Sequence, residues 1–176
     1  MGEAMVRQDQ QRRGDAAEAF LADLLRAKGF QVEDLNSPRR NHPVVDLRVA
    51  GATTRFGVSV KSCWSANRQI RLGKPHILEQ LPDDAFMMIL LPATKREAMV
   101  LDPAKYHLWI VPGHVKKDAL DAHYHYAQHR PGSKNHSVMV KDKVDRSPTT
   151  RSGAVFQDWQ TRFRDAWHLV PLPPAN

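Results

Sequence analysis

Two carboxylates and a lysine are the side chains in this sequence best placed to act together on a substrate. Glu18 lies in a segment, Gly14 to Lys28, where Phe20, Leu21, Leu24 and Leu25 recur at helical spacing. At about 100° per residue, Glu18 falls within roughly 20° of Leu25 and about 60° of Leu21. The carboxylate therefore stands beside or within the apolar stripe, aimed toward whatever the helix packs on. Asp46 projects opposite Val45, Leu47 and Val49, and Ser59 and Lys61 project opposite Val58 and Val60. If the two segments form a hairpin, Asp46, Ser59 and Lys61 share one surface. Carboxylates bind a hard divalent cation, and a nearby lysine orients a water or stabilises charge developing on a phosphate. The same patterns also describe a solvated hairpin face and a glutamate with its head in water. Periodicity leaves both readings open.

The elements that must position these groups follow from the same patterns. The Gly14 to Lys28 helix stops at Gly29, and Gln31 to Leu35 is a short strand. Asn36 to Pro43 is a turn-rich loop carrying Arg39 and Arg40. Val44 to Val49 and Thr54 to Lys61 alternate in hydrophobicity around a tight connection at Gly51, which predicts the hairpin. Ala85 to Leu91 is a continuous apolar run, the mark of a buried central strand. His107 to Val111 is a strand ending at Pro112, Val115 to His129 a helix, and Val138 to Val140 a strand after a basic turn from Pro131 to Asn135. Val155, Phe156, Trp159, Phe163 and Trp167 have helical spacing and predict a C-terminal helix. The expected fold is α/β, a central mixed sheet flanked by helices. We expect one domain over residues 1–170 and a flexible Pro-rich tail over 171–176.

Composition bounds the function. The 176 residues carry 26 Lys plus Arg against 19 Asp plus Glu, a net charge of +7, with an isoelectric point near 9.8. That balance suits a polyanionic partner, although charge alone does not separate nucleic acid from an anionic membrane. A single cysteine, Cys63, excludes a disulfide framework and favours a reducing compartment; we expect a cytoplasmic protein and a buried, inert thiol. No apolar window is long enough to span a bilayer. The first residues, MGEAMVRQDQQRRGD, lack the apolar region of a secretory signal and the pattern of a myristoylation site.

Three stretches together, GDAAEAFLADLLRAKGFQV, HPVVDLRV and RFGVSVKS, resemble the PD-(D/E)xK nuclease superfamily, which includes many restriction enzymes and Holliday-junction resolvases. In that family a helix with a Glu precedes a strand ending in an Asp, and the next strand carries an acid-x-Lys. The resemblance spans about residues 14 to 62. It implies a restriction-endonuclease-like core, with Glu18 as the helix Glu, Asp46 as the metal-binding Asp and Lys61 as the catalytic Lys. It further implies Mg²⁺ or Mn²⁺ held by Asp46 and Glu18, with the backbone carbonyl of Val60 as an added ligand. Two departures stand out. Ser59 occupies the position of the second acid, and Pro43 lies three residues before Asp46. Either another carboxylate supplies the missing charge, Glu18 being the nearest candidate, or the metal site is crippled.

Arg39, Arg40, Arg48, Arg68, Arg71 and Lys74 flank the proposed site in sequence and are the expected DNA contacts. Trp64 follows the Lys61 strand as a candidate for base stacking or for the core. His125 and His129 have metal-ligand spacing, but they share a stripe with Asp118 and Asp121, as a solvated helix face does. The expected function is a metal-dependent DNA endonuclease hydrolysing phosphodiester bonds. The alternatives are a catalytically inactive DNA-binding relative and a protein-interaction module. DNA is the expected partner, a second copy of the chain (a homodimer) is left open, and no membrane is expected.

Overall fold

A computed structural model describes residues 2–36, 42, 44–63, 69–92, 102, 105–129, 137–141, 155–156 and 159–174. The chain opens with helix α1 (Gly2–Ala27), 26 residues long and so about 39 Å at ~1.5 Å per residue. It begins well before Gly14. The upstream residues Glu3, Ala4, Met5, Arg7 and Gln8 are good helix formers, but apolar periodicity starts only at Ala17, so pattern alone places the start too late. Ala17, Leu21 and Leu25, four residues apart, are fully buried on one stripe. Gly29 ends the helix with φ +90. The Gly29 N–H donates to Arg26 O (2.9 Å) and the Phe30 N–H to Leu25 O (3.1 Å), while Phe30 and Leu25 lie in the same apolar cluster. This is the Schellman ending, which turns the chain sharply into the sheet.

The main sheet contains β1 (Gln31–Asp34), β2 (Leu47–Ala50), β3 (Arg55–Ser62), β5 (Phe86–Pro92) and β6 (Tyr106–Pro112) in that spatial order. β1, β2 and β3 form an antiparallel meander, β3 pairs in parallel with β5, and β5 pairs antiparallel with β6. The connection between the parallel strands carries β4 (Gln69–Gly73) and the single turn α2 (Pro75–Leu78). A smaller three-stranded sheet joins β4 to β7 (Val138–Lys141) and β8 (Val155–Phe156). α3 (Lys116–His129) packs on β7 and β8, and α4 (Trp159–Phe163) on β6. The fold is thus α/β, a mixed five-stranded sheet flanked by helices.

The main sheet is apolar on both faces. Leu47, Val49, Phe56, Val58, Val60, Met88 and Leu90 pack against α1. Met87, Ile89, Leu91, Trp109 and Val111 pack against the smaller sheet, α3 and α4. β5 contributes to both clusters, so its residues read as an unbroken apolar run.

Three expectations change. β2 starts at Leu47, not Val44, and Val45 does not share a face with Leu47 and Val49; it is half-buried against the opposite cluster. There Val45 covers Gly57: a Cβ at position 57 would lie 2.8 Å from Val45 Cγ1. Ser59 does not line an open cleft but is buried, because the face it shares with Gly57 is covered as well. The expected C-terminal helix is only the five residues of α4. Val155 and Phe156 form β8, and Trp167 lies in a short 3-10 turn (Trp167–Leu169). Asp165 at φ 49 breaks the helix, and its N–H donates to Leu108 O (2.8 Å). The chain thereby crosses from one face to the other around β6: Trp159 and Phe163 sit in one cluster, Ala166 and Val170 in the other. The Ala52 N–H donates to Leu172 O (2.7 Å), which holds the start of the Pro-rich segment against the β2–β3 turn.

Candidate active site at the carboxyl end of the third strand

The backbone around Asp46 continues the meander just before β2. The Asp46 N–H donates to Val58 O (2.8 Å) and Asp46 O accepts from the Leu35 N–H (2.9 Å). Its side chain then replaces a ladder partner: Asp46 Oδ2 accepts from the Val60 N–H at 2.6 Å. In an antiparallel pair the N–H and C=O of one residue point to the same neighbour. The Val60 carbonyl is therefore directed to the same side of β3 as Asp46, where β2 has ended.

β1 delivers the third member. Its last residue, Asp34, accepts from the Asn36 N–H at Oδ1 (2.8 Å), a local turn that fixes Asn36 just beyond the strand. Asn36 Nδ2 then donates to Asp46 Oδ1 (2.8 Å) and to Glu18 Oε2 (3.1 Å). Glu18 reaches this point from α1, half-buried at the edge of the stripe that carries Leu21 and Leu25. Two carboxylates distant in sequence thus converge on one nitrogen atom. Burial pushes the Glu18 carboxyl above its ordinary range; the Asn36 hydrogen bond pulls it back, and the charges of Asp46, Asp34 and Asp15 raise it further.

Lys61 follows Val60 on β3 and is half-buried. Among the described residues no ion pair joins it to Glu18 or Asp46. Ser59, buried on the covered face, is not a member of the cluster. The structure brings together Glu18, Asp46 and the Val60 N–H and adds Asn36, which sequence reasoning leaves in a generic loop. The expected common surface of Asp46, Ser59 and Lys61 is not formed by any contact among the described residues. Lys61 alternates onto the Ser59 face of β3, opposite the face that packs on α1. The signal for Asn36 was the Asp34-Leu35-Asn36 spacing at a strand end, which suits an Asp-capped turn.

The other candidates are scattered. Arg48 pairs with Glu33 on β1 at 2.9 Å, both half exposed, beside a shallow depression lined by Gln31, Val32, Ala50 and Arg55. Arg71 on β4 and Lys74 before α2 are exposed. Arg39, Arg40, Trp64, Arg68 and the basic turn from Pro131 to Asn135 lie outside the described residues. Cys63 is buried. His125 is exposed with Asp118 and Asp121, whereas His123 turns inward and is buried, which holds its imidazole below the usual range. No described helix is long and apolar enough to cross a membrane.

The donor set suits a hard divalent cation. Among the described residues no three His, Cys, Asp or Glu side chains are grouped to hold a metal. One or two carboxylates completed by neutral oxygens, water and substrate phosphate is nevertheless the ordinary coordination of Mg²⁺. Glu18 Oε2 and Asp46 Oδ1, which share the Asn36 amide nitrogen, are two such carboxylates.

No protein-family model and no curated protein matches the sequence. Among solved structures, the chain is similar to a bacterial homing endonuclease, I-Ssp6803I, with a TM-score of 0.46 and 16% identity over 90% of each chain.

Proposed function

We propose that this chain is a metal-dependent DNA endonuclease of the PD-(D/E)xK type. The observation that carries the reading is the convergence of Glu18 Oε2 and Asp46 Oδ1 on the single position held by Asn36 Nδ2. Glu18 and Asp46 would hold Mg²⁺ or Mn²⁺, with the Val60 carbonyl as an added ligand. A bound cation would polarise the scissile phosphate and lower the pKa of water at the site. Lys61, one residue beyond Val60, orients the attacking water and stabilises charge on the phosphate. Glu18 compensates for the missing acid at Ser59: among the described residues it is the one other carboxylate that shares a hydrogen-bond donor with Asp46.

Arg71 and Lys74, with Arg39, Arg40 and Arg68, contact the phosphate backbone in this reading. Arg48 contributes less, because Glu33 already neutralises it. Duplex DNA binds with little sequence preference at low salt, and affinity falls with a log-log slope of about −0.9 per phosphate neutralised.

The test is a supercoiled-plasmid nicking assay. Wild type should nick in Mg²⁺ or Mn²⁺ and not in chelator, and Asp46→Asn and Lys61→Ala should both be inactive. Binding without nicking in either metal would leave the inactive DNA-binding reading. Absence of binding at ~50 mM salt would exclude nucleic acid as the partner.

A further inference from the structure

We infer that Asn36 is a cation stand-in: its side-chain amide holds Glu18 and Asp46 together when no metal is bound, then turns over to offer its oxygen as a ligand when one binds. This rests on the metal-site reading above and extends it to a residue outside the three-residue motif.

Ionised carboxylates only accept hydrogen bonds. An amide facing both Glu18 Oε2 and Asp46 Oδ1 must therefore present its nitrogen, and it does so at 3.1 and 2.8 Å. Its two N–H groups place partial positive charge where the two acids would otherwise repel. Turned by half a revolution, the same amide would set a third oxygen against two carboxylates. That orientation is repulsive alone and favourable with a cation among the three oxygens. The preferred orientation of Asn36 is thus coupled to occupancy of the site.

Position 36 is built for this. The Asp34 side chain fixes the Asn36 backbone through the N–H at 2.8 Å, so the amide can turn without moving the chain. The turned oxygen also supplies a neutral ligand to a site whose usual second acid is replaced by the buried Ser59.

The test uses the full chain, MnCl₂ as the probe, and two variants of similar size. Asn36→Asp keeps the shape and places an oxygen at both terminal positions. Asn36→Leu removes both the donor and the oxygen. Both should lower Tm in chelator, because the two acids lose their bridge. In calorimetry Asn36→Asp should bind Mn²⁺ at least about tenfold more tightly than wild type, and Asn36→Leu about tenfold or more weakly. The rise in Tm on adding Mn²⁺ should be larger than wild type for Asn36→Asp and smaller for Asn36→Leu.

A second measurement needs no substitution. The side-chain NH₂ signals of Asn36 in a two-dimensional amide spectrum should move upfield on saturation with diamagnetic Mg²⁺, as their hydrogen bonds to the carboxylates break. If wild type binds Mn²⁺ but Asn36→Asp stays within twofold of it, or the NH₂ signals do not move, Asn36 is a fixed brace and the inference fails while the metal site stands. If wild type binds no Mn²⁺ at millimolar concentration, the metal site and this inference fail together.

Discussion

The sheet end around Asp46 and the outer face of α3 carry similar side chains in different surroundings. On α3, Asp118, Asp121 and His125 lie along one exposed stripe. At the sheet end, Glu18 and Asp46 come from elements far apart in sequence, are half-buried, and meet at a single amide nitrogen. Water screens the first set, so the charges along that stripe interact weakly with one another. Around the second, desolvation and a neighbouring charge raise Glu18. Residue type and helical spacing alone thus do not tell a convergent pair of carboxylates from a solvated stripe. Convergence with partial burial is the better one, because a cation gains most where carboxylates are already held close and incompletely hydrated.

The largest effect that sharpens this contrast is on cleavage. Asp46→Asn should lower plasmid nicking in Mn²⁺ by at least about a hundredfold. Asp46→Ala should also destabilise the fold by about 1–3 kcal/mol in urea titrations, because the Val60 N–H loses the acceptor that replaces its ladder partner.

Core truncation beside the site comes next. Leu21→Ala, on the stripe that presents Glu18, should cost about 2–5 kcal/mol. In excess Mn²⁺ it should retain more stability than in chelator, by mass action.

Glu18→Gln breaks the contrast from the other side. It removes one of two facing carboxylates while keeping an oxygen for Asn36. In chelator at neutral pH its Tm should equal or exceed that of wild type; in Mn²⁺ the order should reverse. A fall in chelator would mean that the pair does not repel.

The inner face of α3 supplies a pH effect. Burial depresses the folded-state pKa of His123, so the unfolded chain takes up its proton more readily. Its contribution is fully present above the unfolded value of about 6.5 and is lost as pH falls toward the folded value. His123→Phe should flatten the stability profile across that window in thermal melts. The smallest effect belongs to the solvated stripe: Asp121→Asn should shift stability by no more than about 0.5 kcal/mol and leave Mn²⁺ binding unchanged.

Much of this arrangement could be read in advance. The strand pairs were legible because one face of the hairpin, and both faces of β5, leave clear hydrophobic patterns in Phe56, Val58 and Val60 and in the run from Phe86 to Leu91. Glu18 was legible because it interrupts an apolar stripe. Three features were hidden, each for a physical reason. The first turns of α1 have no apolar face, so period analysis could not find them. The C-terminal segment keeps helical spacing from Trp159 to Trp167, yet Asp165 at φ 49 redirects it around β6, a tertiary choice that spacing does not encode. Asn36 was hidden because its contacts with Glu18 and Asp46 depend on where α1 and β2 come to lie. Its own neighbours specify only a turn.

A crystal structure of the chain grown in Mn²⁺, read by anomalous scattering at the manganese edge, tests the central claim most directly. One strong peak should appear, bound by Glu18 Oε2, Asp46 Oδ1 and the Val60 carbonyl, with the Asn36 amide turned to present oxygen. No peak between Glu18 and Asp46, or a peak only on the Asp121 and His125 stripe of α3, would contradict it.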